Sequence, residues 1–141
     1  MLANRRYRPV LSALGLEVGA VAKANGVEAE GFNGFDPSAF APASPADATD
    51  RSFDDMAAHN RLSTKSHSGI WRDLAIRKRK TEVDAQILPI VDIARKLGVA
   101  TPLTARTVAM IHEIEDGKRP LALTNLDELA ESMPSAPVAA T

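Results

Sequence analysis

The residues with the most chemistry to offer lie together in "RKRKTEVD", Arg77 to Asp84. Four cations, Arg77, Lys78, Arg79 and Lys80, run into a threonine and two carboxylates, Glu82 and Asp84. Such a run suits a solvated turn, an arm for nucleic-acid phosphates, or a cationic lip over a small anionic ligand. A nucleic-acid arm needs further cations on the same face and a positive overall field. With 17 basic and 18 acidic residues the formal charge is −1, so that field is lacking and no nucleic-acid partner is expected. If a helix starts at Thr81, Glu82 lies at its N-terminus, where the backbone dipole favours the ionised form. An ionised carboxylate at a cleft accepts hydrogen bonds from a ligand hydroxyl. Many helices begin with Glu for stability alone, so the residues themselves leave the readings open.

Other chemistry is easier to set aside. The chain has no cysteine, which removes disulfides, thiolate nucleophiles and cysteine zinc sites. His59, His67 and His112 are scattered and form no HExxH, so no metal site is expected. GxGxxG, GxxxxGK[ST] and GxSxG are all missing. The chain therefore carries no phosphate cradle for a dinucleotide and no nucleophile elbow.

The elements that position Arg77 to Asp84 are helical. A chain of 141 residues suits one domain. It is 45% apolar but only 4% aromatic, which predicts an aliphatic, alanine-rich core. Tyr7, Leu11, Leu14, Val18 and Val21 recur at helical spacing, with Gly26 as a left-handed stop. This first helix follows three arginines, a pattern shared with secretory signals. Glu17 interrupts its apolar part, no run reaches the roughly 18 residues of a membrane span, and a cytoplasmic location is expected.

Residues 27 to 48 hold Gly31, Gly34, Pro37, Pro42 and Pro45, and no helix is expected there. Phe32, Phe35 and Phe40 either pin this loop to the core or make it a substrate lid. Thr49 or Asp50 can cap a second helix with Phe53, Met56 and Ala57 inward. Ser66 or Ser68 can cap a short third one carrying Ile70, Trp71 and Leu74 inward. Thr81, in a capping box with Asp84, opens a helix carrying Val83, Ile87, Ile90, Ala94 and Leu97, kinked at Pro89 and ended by Gly98. Thr101 and Pro102 read as N-cap and first helical residue of a helix ended by Gly117, and a weaker helix spans about 125 to 131. The expected fold is all-α: a helical domain over residues 1–132, with 27–48 irregular and 133–141 a flexible tail.

The block "SHSGIWRDLAIRKRKTEVDAQILPIVDIARKLGVATPLTARTVAMIHEIE", residues 66 to 115, resembles the C-terminal helical domain of the ketopantoate reductases (2-dehydropantoate 2-reductases). The shared features are Ser68, Asp73-Leu74, "RKRK", Thr81-Glu82-Val83-Asp84, Gly98 and Thr101-Pro102. The first helix and the loop "EGFNGFDPSAF" resemble family segments as well. The resemblance implies a helical bundle, as in ketopantoate reductase and 6-phosphogluconate dehydrogenase-like proteins. It implies the substrate-binding and dimerisation half of an NADP-dependent oxidoreductase of pantothenate biosynthesis, acting on a 2-keto acid. By the same resemblance Glu82 faces the cofactor–substrate cleft as a cofactor-binding residue. Ser68 holds the substrate, with Gly69 an equal claimant. The family's NADPH-binding Rossmann domain and proton-donating lysine have no match here. A truncated chain, inactive alone, is expected, or one completed by a homodimer or a separate Rossmann subunit. The "NG" after the family's "TEID" is Ile87-Leu88, and the asparagine after "TP" is Thr104, so the substrate could differ. The alternative is a non-catalytic helical interaction module.

Overall fold

The computed structural model describes residues 1–63 and 67–133. Ser66 and the expected tail from 134 onward lie outside them. Within the described residues the architecture is all-α, apart from one isolated bridge between Phe32 and Phe35. None of the helices is long and apolar enough to cross a membrane.

The central element is α1, Arg8–Ala24, entered through a 3-10 turn at Arg5–Tyr7. Pro9 is accepted in its first turn, where backbone N–H groups lack partners anyway. Gly26 follows with φ 69°, the stop that the sequence predicts. Tyr7 and Val21 of the predicted stripe are buried, and Leu11 and Leu14 pack against the core, but the stripe also takes in Val10 and leaves out Val18. Val10 is 1% exposed whereas Val18 is 38% exposed, because the face that meets the later helices runs through Val10, Ala13 and Leu14.

Two apolar clusters lie against α1. One joins Val10 to Leu103 and Met110 of α6, Pro102–Glu115, and to Leu129 of α7, Thr124–Glu131. The other joins Ala39, Phe40 and Phe53, and Leu11 packs against both. Each fully buried aliphatic or aromatic side chain contributes roughly 1.5–3 kcal/mol. The loop from 27 to 48 belongs to the second cluster. Phe40 meets Phe53 edge-on at 5.3 Å and stacks with Phe35 at 5.4 Å, which supports the pinned reading of the loop. Phe32 stays exposed. At Gly34, with φ 89°, a Cβ would lie 2.5 Å from the Asp55 carbonyl carbon, so only glycine lets the loop reach the helix backbone. Ser52 completes the seam, donating to the Gly34 carbonyl and accepting from the Asp36 N–H, each at 3.0 Å.

Local expectations fail where tertiary partners take over a cap. The loop contains a 3-10 turn at Pro37–Phe40, and α2, Ala46–Leu62, starts before the predicted caps. Thr49 instead donates to the Ala39 carbonyl at 2.7 Å, and Asp50 pairs with Arg8 at 3.3 Å. Thr101 does not cap α6 with its side chain. Glu17, from α1, accepts from the Leu103 and Thr104 N–H groups at 2.8 and 2.7 Å. The residue that breaks the apolar run of the first helix is thus the cap of another. The predicted kinked helix is two helices, α4 at Val83–Gln86 and α5 at Leu88–Leu97. Pro89 has no N–H to continue the ladder, and the Ile90 N–H donates to the Ile87 carbonyl at 3.0 Å in a tighter turn.

Candidate functional site

The segment from Ser68 to Gln86 is irregular, and its side chains explain why. Ser68 has extended backbone, and its Oγ accepts from the Trp71 N–H at 3.1 Å, capping α3, Gly69–Arg72. That turn widens into a π turn at Asp73–Arg77, a form often found at functional positions. Lys78 ends it in the left-handed conformation, φ 50° and ψ 50°, which costs an L-residue about 1–2 kcal/mol. The turn is held by Asp73, which is 7% exposed. Its carbonyl accepts from the Lys78 and Arg79 N–H groups. Its Oδ1 accepts from Arg77 Nη1 at 3.0 Å and Arg79 Nε at 2.8 Å. The Arg77 and Arg79 guanidiniums hold the Asp73 carboxyl below its ordinary range, against the opposing effect of burial. The basic run therefore does more than complement a helix end, because both its arginines are seated on one carboxylate.

The next turn is tied to α6. Glu115, its side chain 3% exposed, accepts from the Thr81 N–H at 2.6 Å and the Thr81 hydroxyl at 2.8 Å. The Thr81 hydroxyl also accepts from the Val83 N–H at 3.2 Å. The predicted capping box does not form, since Asp84 turns away to His112 Nε2 at 2.7 Å. His112 Nδ1 lies 2.6 Å from Glu115. Burial pushes the Glu115 carboxyl up, but the Thr81 hydrogen bonds and His112 together hold it below its ordinary range. Glu115 first, then Asp84, raises the pKa of His112.

These two anchored turns face one hollow of about 230 Å³. Ser68, Asp73, Arg77, Arg79, Glu82 and Gln86 line it, together with Gly69 and Ile70. The volume is below the roughly 300–1,000 Å³ of drug-sized sites and suits a small ligand. Glu82 is exposed and accepts from Gln86 Nε2 at 2.9 Å. Ser68 and Glu82, the two residues singled out from the sequence, thus border the same space. The hollow offers anion donors on two arginines, a hydroxyl and a carboxylate acceptor. A wider hollow of about 530 Å³ shares Ser68 but has neither carboxylate nor lysine or arginine in its lining, so it has less to hold a charged ligand. His59 and His67 border that one, and among the described residues no three His, Asp or Glu side chains converge as a metal site would need. The chain has no glycine-rich diphosphate cradle, so these residues do not fit the whole cofactor.

Residues 1–115 match the family described as ketopantoate reductase PanE/ApbA C terminal. The chain belongs to this family. No curated protein and no solved structure matches it. The ketopantoate reductase match covers the whole hollow and ends at Glu115, the carboxylate that holds Thr81. The all-α fold agrees with a ketopantoate reductase C-terminal domain. Sequence reasoning missed the seats of the site: Asp73 under the arginines and the chain Asp84–His112–Glu115–Thr81. The spacing of Asp73 with Arg77, four residues on, and of His112 with Glu115, three on, was the available signal.

Proposed function

We propose that this domain forms the substrate-side wall of the active site of an NADP-dependent 2-keto acid reductase of the ketopantoate reductase kind. One observation carries the reading: Ser68 and Glu82 share a hollow with two arginines that each spend one nitrogen on Asp73. In this reading Arg77 and Arg79 receive the carboxylate of the 2-keto acid, and Ser68 holds the substrate. Glu82 accepts a hydroxyl of the substrate or the cofactor ribose. The dinucleotide cradle and the proton-donating lysine come from a separate segment or subunit. General acid catalysis is worth about 10²–10⁴-fold, so residues 1–141 tested alone do not oxidise NADPH with ketopantoate above buffer.

The test is an NMR titration of residues 1–141 with ketopantoate, followed by an assay with the Rossmann domain of a relative added. Amide shifts confined to Ser68–Gln86, and activity on mixing that Glu82→Ala removes, are the expected results. Turnover by the chain alone, or shifts that avoid this segment at millimolar ligand, overturns the reading. A second reading, a non-catalytic interaction module, has its own observation. An open apolar hollow of about 360 Å³ lies between α3, α6 and α7, lined by Trp71, Leu74, Ile111 and Leu126 among others. Concentration-dependent gel filtration without any ketopantoate response favours that module.

A further inference from the structure

Glu82 lies between two tied residues. On one side Thr81 is held by Glu115, and on the other Asp84 is held by His112. The imidazole lies between two carboxylates, 2.6 Å from Glu115 and 2.7 Å from Asp84. Only the imidazolium has an N–H on both nitrogens. A neutral ring keeps one donor and turns a lone pair toward the other carboxylate, so one contact must be lost. Glu115 is almost fully buried, whereas the Asp84 side chain is 59% exposed and water can solvate it. Asp84 is therefore the contact that is released.

We propose that His112, acting as a cation, is a positioning residue for Glu82, fixing the turn that carries this carboxylate into the hollow and releasing it on deprotonation. The ligand-binding role of the hollow is the reading given above; the tie itself is a property of this chain. The charged groups around α6 are consistent with a local device. Asp84 comes from α4 and Glu115 from α6 itself. Lys78, Arg79 and Arg119 line the hollow that Glu115 also borders. From α7, Asp127 pairs with Arg6, and Glu128 with Arg106 and Arg119. Asp92, Arg95 and Lys96 of α5 are exposed, and Glu17 of α1 is spent on the far end of α6. The sign follows from the raised folded-state value of His112. The tie is complete below the ordinary histidine value of about 6.5 and is lost as pH rises through the raised one. At the acid end, Glu115 lets go only as pH falls through its lowered value.

The experiment follows the imidazole and backbone amide signals of residues 1–141 by NMR from pH 5.5 to 9. The Glu82, Val83 and Asp84 amides are expected to shift with the midpoint of the His112 ring, above 6.5. His112→Gln is expected to lose that step, and Asp84→Asn to move the midpoint down toward 6.5. A Glu82 amide that stays flat while His112 titrates, or a midpoint at or below 6.5, overturns the proposal. Should His112→Gln not fold, the Asp84→Asn midpoint decides. Failure to bind a 2-keto acid would leave this titration unchanged, and a flat titration would leave binding unchanged, so the two readings fail separately.

Discussion

Two arginine–carboxylate clusters in this domain differ in how fully their hydrogen bonds are spent. Around Glu113 and Glu128, two arginines meet two carboxylates. Arg119 uses Nε on Glu113 at 2.7 Å and Nη2 on Glu128 at 3.0 Å, with Nη1 shared between Glu128 and Asn125. Arg106 reaches both carboxylates as well. This cluster is neutral and closed, and it fastens α7 to α6. Around Asp73, two arginines meet one carboxylate, and both donate to the same oxygen. The Arg77–Asp73–Arg79 trio by itself keeps a net positive charge and holds donors in reserve, and it borders the hollow that Ser68 and Glu82 also line, whereas Arg119 borders a different one. The chemistry is the same, but the stoichiometry separates a fastener from a candidate anion site.

The largest expected effect comes from cutting the open cluster. Arg77→Gln with Arg79→Gln should weaken 2-keto acid binding by at least about tenfold, the lower bound for lost charge-assisted hydrogen bonds. Arg106→Gln with Arg119→Gln should leave binding within about twofold and lower Tm instead. Calorimetric titration and thermal melts on the two double variants measure both quantities. Equal binding losses in the two would erase the distinction.

A smaller effect, of known sign, tests the closed cluster. Arg119, then Arg106, brings Glu128 down to about 2, against about 4.3 for a free glutamate. Its stabilisation is therefore present above the unfolded value and is lost as pH falls through about 2. Glu113 is lowered in the same way, chiefly by Arg119. At neutral pH Glu128→Gln should melt a few degrees below the parent, and the gap should close as pH approaches 2. A gap that is constant across that range would mean that packing, not charge, is what the substitution removes.

How legible each region was in the sequence follows from the range of its interactions. Apolar periodicity is local, so the helix carrying Leu103 and Met110 could be read directly, and so could the stops at Gly26, Gly98 and Gly117, whereas the segment from Val83 to Leu97 was read as one kinked helix and is two. Caps can be supplied by distant residues, and there local rules failed. Glu17 reaches α6 across 86 residues and Glu115 reaches Thr81 across 34, displacing the local caps that Thr101 and Asp84 would have provided. Family resemblance pointed to Ser68 and Glu82, and both line the hollow. It could not reveal that Asp73 seats the arginines, because that depends on a π turn and a left-handed Lys78.

Lys78 gives the smallest and most discriminating prediction. It holds an αL position next to both arginines but lines the hollow shared with Glu115 and Arg119, not the one holding Ser68 and Glu82. Lys78→Gly removes a steric cost of about 1–2 kcal/mol and adds roughly 0.5–1 kcal/mol of unfolded-state entropy. The difference is about 0–1.5 kcal/mol in favour of glycine, so Tm should hold or rise by up to about 5 °C. Ligand binding should stay within about twofold, since the turn that aims Arg77 and Arg79 is preserved while one nearby charge is lost. If Lys78→Gly weakened binding as much as the double arginine change, summed local charge would be attracting the anion. The seating of two guanidiniums on Asp73 would then have no special part in recognition, and the contrast between open and closed clusters would reduce to a count of cations.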